Sequence, residues 1–287
     1  MMIRIVPLIA ACTAWPTISA AERYPTADAI VSVGGPITEI IYALGEENRI
    51  IARDTTSVFP DEVSDLPDVG YMRRLSAEGV LSVGPDLIIA RSTSGPEEAL
   101  DQLRGAAVPI VFVEDGFTPE AVLASVDTVG EALGVEEKAD ALIAKLTADF
   151  AELEQKRVGR DDPIRVLFAL SIDGGRLNAS GRGTGADGII TLAGGVNVMA
   201  DTFEGYKLVN DEAVILAAPD VIIMMDGRGD RGGRAEEVLA LPSVSLTSAG
   251  ENEAFITIPG AALGFGPRTP QLASDLLTQL ETLSDED

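Results

Sequence analysis

The chain has 287 residues, with 46 acidic and 21 basic side chains, one cysteine, one tryptophan and no histidine. Without histidine there is no Ser-His-Asp triad and no imidazole metal site, and one cysteine builds neither a disulfide framework nor a thiolate cluster. A formal charge of −25 speaks against nucleic acid, whose phosphates need clustered Lys and Arg, while 46% hydrophobic residues allow one large or two medium domains.

The chain begins with a short positive start, Met1-Met2-Ile3-Arg4, then an apolar run and small residues at Ser19-Ala20-Ala21. This resembles a secretory signal over residues 1–21, with an apolar part of about ten residues against roughly twenty for a membrane span. An exported, periplasmic mature protein is expected. Cys12 offers a lipoprotein processing site as the alternative.

The next segments read as strands over 29–33, 49–53, 86–90 and 109–114, with helices between them. Two stretches match at one constant offset: Leu75-Ser76-Ala77-Glu78-Gly79-Val80-Leu81 through Pro85-Asp86-Leu87-Ile88-Ile89, and Val209-Asn210-Asp211-Glu212-Ala213-Val214-Ile215 through Pro219-Asp220-Val221-Ile222-Ile223. In both, an N-cap residue opens a short apolar helix, and Pro-Asp separates it from a continuously apolar strand of the kind found in parallel sheets covered on both faces. A second echo pairs Ile40-Ile41-Tyr42-Ala43-Leu44-Gly45 with Ile189-Ile190-Thr191-Leu192-Ala193-Gly194.

Between the halves, Ala139, Leu142, Ile143, Leu146, Phe150 and Leu153 form one helical stripe over 136–157. At 1.5 Å per residue that helix is about 33 Å long, enough to join two lobes. Further strands are predicted over 164–170, 220–225 and 254–258. The expected architecture is therefore α/β, with two Rossmann-like lobes over 22–135 and 159–287 joined by a long rigid backbone helix over 136–158. Limited closure is expected, with ligands beyond the carboxyl ends of the strands.

Gly34-Gly35-Pro36 and Gly181-Arg182-Gly183-Thr184-Gly185 match neither phosphate-binding fingerprint, and glycines at strand–helix junctions ordinarily form turns. Ser171 and Ser180 have no histidine to activate them, so no enzyme is indicated. An exported two-lobed protein without catalytic apparatus suggests a solute receptor.

Four segments carry a family resemblance: Ile30-Val31-Ser32-Val33-Gly34-Gly35-Pro36 continuing to Gly45; Val69-Gly70-Tyr71-Met72-Arg73-Arg74-Leu75-Ser76-Ala77-Glu78; Gly181 to Asp187 with Gly194-Gly195-Val196-Asn197; and Gly264-Phe265-Gly266-Pro267-Arg268-Thr269. Together they resemble the periplasmic haem-binding proteins of bacterial ABC haem importers, which have the class III periplasmic binding protein fold. The first segment is shared with cobalamin and ferric-siderophore receptors, and either is the alternative ligand class. Gly-Tyr-x-Arg is the more specific part.

The resemblance implies that Tyr71 is the axial ligand of haem iron, with a basic side chain, Arg73 or Arg74, beside it. A phenolate is a hard oxygen donor suited to ferric iron. Ionising a free phenol at pH 7 costs about 4 kcal/mol, which iron and nearby positive charge must offset. The haem propionates need cations in an acidic protein. Arg228, close to Arg231 and Arg234 after the strand ending near 225, is the first candidate, and Arg182 and Tyr206 lie near other expected cleft loops. With no histidine to complete the coordination, a five-coordinate iron with Tyr71 alone, or a sixth ligand of another type, is expected. Glu78 and Glu212, at equivalent places in the repeat, are the residues that the resemblance assigns to docking on the permease of an inner-membrane permease/ATPase complex. The receptor is expected to be a monomer.

Overall fold

The structure is a computed structural model that describes residues 23–158, 163–226 and 231–285. The first lobe is a parallel sheet of β1 (Ile30–Val33), β2 (Ile50–Arg53), β3 (Leu87–Arg91) and β4 (Ile110–Val113), in the order β2-β1-β3-β4. Its helices are α1 (Gly35–Ala43), α2 (Ala77–Leu81), α3 (Glu97–Gly105) and α4 (Pro119–Leu133). Alternate residues of each strand enter different cores. Ile30, Leu87 and Ile89 pack with α1 and α4, whereas Val31, Val33, Ile88 and Ala90 pack with α2 and α3. Coverage of both faces explains why β1 reads apolar almost throughout.

Helix α5 (Glu136–Arg157) has the bounds its apolar stripe predicts and buries Ala139, Leu146, Phe150 and Leu153. Glu136 and Glu137 open it and Lys156 and Arg157 close it, each charge opposing the dipole at its own end.

The second lobe contains β5 (Arg165–Asp173), β6 (Arg176–Ser180), β7 (Val196–Asn197), β8 (Tyr206–Leu208), β9 (Val221–Met225) and β10 (Phe255–Ile258). Its order is β10-β9-β5-β6-β8, with β7 also on β5. The β10, β9 and β5 strands are parallel, while β6 and β8 add an antiparallel edge. Helices α6 (Gly185–Leu192), α7 (Asp211–Ala217), α8 (Arg231–Leu239), α9 (Ser248–Glu251) and α10 (Thr269–Asp285) complete it.

The antiparallel edge is absent from the sequence reading. Its turn is Gly174-Gly175, with φ of 57° and 77°, a pair that permits a tight hairpin. Strand β8 is exposed at all three residues, so it has no apolar pattern to reveal it.

One hydrophobic core runs through both lobes: Ile37, Val126 and Leu133 of the first, Leu146 and Phe150 of α5, and Phe168, Ile189 and Leu276 of the second belong to it. A clasp closes the junction. Arg268 pairs with Glu39 at 2.6 Å and stacks 3.7 Å from the Phe59 ring centroid. The Phe265 ring meets Phe117 edge-on at 5.5 Å, and Arg91 donates to the Gly264 carbonyl at 3.0 Å while pairing with Asp115. The lobes are thus joined by packing and by charge, not by a tether.

Candidate functional site

Tyr71 sits on the loop that follows β2. Met72 and Leu75 are buried in the first lobe, which turns Tyr71, Arg73 and Arg74 outward on the intervening positions. Two sets of backbone bonds fix the loop. Thr55 donates its amide to the Gly70 carbonyl at 3.0 Å, and Gly95 donates to Met72 while Leu75 donates to Gly95, both at 2.9 Å. Asp68 accepts from the Gly70 amide at 2.8 Å and pairs with Arg53 at 2.9 Å. Gly70 has φ of 99°, a conformation that favours glycine and sets the direction in which Tyr71 leaves the chain.

Tyr71 is 38% exposed, a high value for an aromatic residue in a rigid loop. The Arg74 guanidinium lies 6.0 Å from its ring centroid. Arg73 is exposed, and its positive charge lowers the pKa of Tyr206 in the second lobe. Tyr71, Arg73 and Arg74 share one exposed stretch of the first lobe.

Tyr206 lies on β8, opposite Ser180 of β6. The residue is 37% exposed, and partial burial of the phenol raises its pKa, against the opposing pull of Thr184, Arg73 and the Ala186 backbone. Tyr206 is consequently a neutral phenol at pH 7.

Arg182 is not a free cation. Its guanidinium pairs with Glu204 at 2.6 Å, with both side chains largely exposed. Sequence reasoning missed Glu204, because the pairing depends on the register of β6 and β8, which leaves no local pattern. Ser180 is fully buried and its hydroxyl lies 2.5 Å from that of Thr184, so it braces the α6 N-terminus.

Arg228 lies outside the described residues, and Arg231 and Arg234 fall in α8. Glu78 and Glu212 are exposed in the first turns of α2 and α7. Each helix is N-capped by the residue the repeat predicts: Gly79 donates to Ser76 at 3.3 Å and Ala213 donates to Asn210 at 2.9 Å. Among the described residues, no group of three or more His, Cys, Asp or Glu is placed to hold a bare metal ion. Among them too, no helix is long and apolar enough to cross a membrane.

With two α/β lobes joined by one long helix and by a continuous core, the fold is that of a class III solute-binding protein. The periplasmic binding protein family model matches residues 30–262, and the chain belongs to that family, whose members serve transport and are not enzymes. An uncharacterized ABC transporter substrate-binding lipoprotein of Bacillus subtilis (strain 168) is 31% identical over 202 residues, covering 69% of this chain; the chain spans 63% of that relative's length. A vitamin B12-binding protein of Pectobacterium atrosepticum is 25% identical over 264 residues, 91% of each chain. Among solved structures, the periplasmic heme-binding protein RhuT from Roseiflexus sp. RS-1 superposes with a TM-score of 0.83 at 34% identity, covering 92% of this chain and 99% of its own. The chain is accordingly a solute-binding protein of the periplasmic binding protein family.

Proposed function

We propose that this receptor binds haem between its lobes, with the Tyr71 phenolate on ferric iron, and delivers it to an ABC permease in the inner membrane. The observation that carries the reading is the placement of Tyr71: an exposed phenol on a braced loop, with Arg74 beside it. The Arg74 guanidinium, 6.0 Å from the ring centroid, puts positive charge beside the iron-binding oxygen of this reading. Tyr206 lines the opposite wall as a neutral hydrogen-bonding group, and Arg182 and Arg228 meet propionates. Similarity to periplasmic haem-binding proteins of known structure supports the same ligand.

In this reading residues 1–21 direct export, and the lobes span 22–135 and 159–287 on either side of the 136–158 helix. Glu78 and Glu212 dock on the permease, one from each lobe. Their capped, exposed helices suit a two-sided contact.

Titration of the purified protein with haemin tests the proposal. A high-spin ferric spectrum that disappears in Tyr71→Phe is the expected result. The vitamin B12-binding relative favours a second reading, in which a cobalamin occupies the cleft and Tyr71 only lines it. Binding of cyanocobalamin with no Soret change on haemin addition would select it.

A further inference from the structure

On the second lobe the cleft mouth carries an ion pair that is built by the backbone. Gly181 donates its amide to the Gly205 carbonyl at 2.8 Å, Arg182 to Phe203 at 2.9 Å, and Gly205 back to Arg182 at 3.0 Å. This ladder sets Glu204 directly opposite Arg182. It also demands glycine at 181, where an added Cβ would stand 2.1 Å from the Phe203 carbonyl oxygen. The salt bridge at 2.6 Å is therefore a consequence of chain register and not of a chance meeting of two long side chains. Tyr206 stands opposite Ser180 in the same register, two residues before Arg182. Arg182 thus lies beside Tyr206, but its charge is already neutralised.

We propose that Glu204 is an internal competitor for the ligand's carboxylate: it occupies Arg182 in the ligand-free receptor and is exchanged for a carboxylate of an anionic tetrapyrrole. The inference rests on the haem reading and deepens it by assigning a selectivity role. A ligand without a free carboxylate cannot exchange with Glu204 and gains nothing from Arg182. A dicarboxylate gains Arg182 only after displacing a charge of its own kind, so affinity is moderated and release to the permease is eased. Both partners are solvent-exposed, with side-chain exposures of 59% and 74%, which makes the exchange small in energy and open to an incoming ligand.

The test is a set of absorption titrations with haemin and with haemin dimethyl ester on the wild type, Glu204→Gln, Arg182→Gln and the double variant. Glu204→Gln should bind haemin roughly two- to fivefold more tightly at low ionic strength, the range of an exposed ion pair. The gain should shrink in about 0.5 M salt, where such pairs are screened. It should vanish with the dimethyl ester and in the Arg182→Gln background. Unchanged or weaker haemin binding in Glu204→Gln, or an equal gain with the ester, overturns the competitor role while Tyr71-dependent haem binding by the wild type leaves the parent reading intact. A wild type that takes up no haemin overturns both.

Discussion

Tyr71 and Tyr206 are both phenols at the cleft mouth, and their surroundings divide the work between them. Tyr71 is exposed beside Arg74, as the haem proposal requires. Loss of its oxygen should weaken haemin binding at least tenfold, or about 1.4 kcal/mol, in the Tyr71→Phe titration. Tyr206 is only partly buried, and its raised pKa makes folded-state stability fully present below the normal tyrosine value and lost as pH rises through the folded one. Urea melts at rising alkaline pH should therefore show a shallower loss of stability in Tyr206→Phe than in the wild type. Tyr71 was singled out by the family resemblance of Gly70-Tyr71-Met72-Arg73, a single contiguous stretch, and not by its spacing. Glu204 was invisible by the same means, since its partner comes from another strand.

At the scale of elements, the repeat is visible down to its backbone dihedrals. Gly84 after α2 has φ of 70°, and Ala218, its counterpart after α7, is held in the same left-handed region at φ of 42°. Alanine pays a steric penalty there that glycine does not. Ala218→Gly should raise the second lobe's stability by about 1 kcal/mol, read as a higher urea midpoint with an unchanged slope. The clasp makes the opposite case. Arg268→Ala strands the Glu39 carboxylate, which is only slightly exposed, and removes the stack on Phe59. A loss of about 2 kcal/mol is expected in the same measurement. The Gly264-Phe265-Gly266-Pro267-Arg268 segment was legible as a motif, but its role as the fastening between lobes required the coordinates of Glu39, Phe59 and Phe117.

For the whole molecule, a core that passes from the first lobe through α5 into the second leaves little freedom for hinge motion. Small-angle scattering should show a radius of gyration that changes by no more than about 1 Å on ligand addition. The formal charge of −25 acts on the molecule as a self-repulsion, so thermal stability should increase when salt screens it. The sequence by itself determined the α/β class, the duplicated helix–strand units, the length of the joining helix and the candidate phenol, because each is written in local periodicity or contiguous residues. Only the tertiary structure decided that Arg182 is already paired, that Tyr206 stands opposite Ser180, and that Arg268 fastens the lobes. Those contacts join residues far apart in the chain, through strand register and lobe docking, and neither leaves a trace in local sequence.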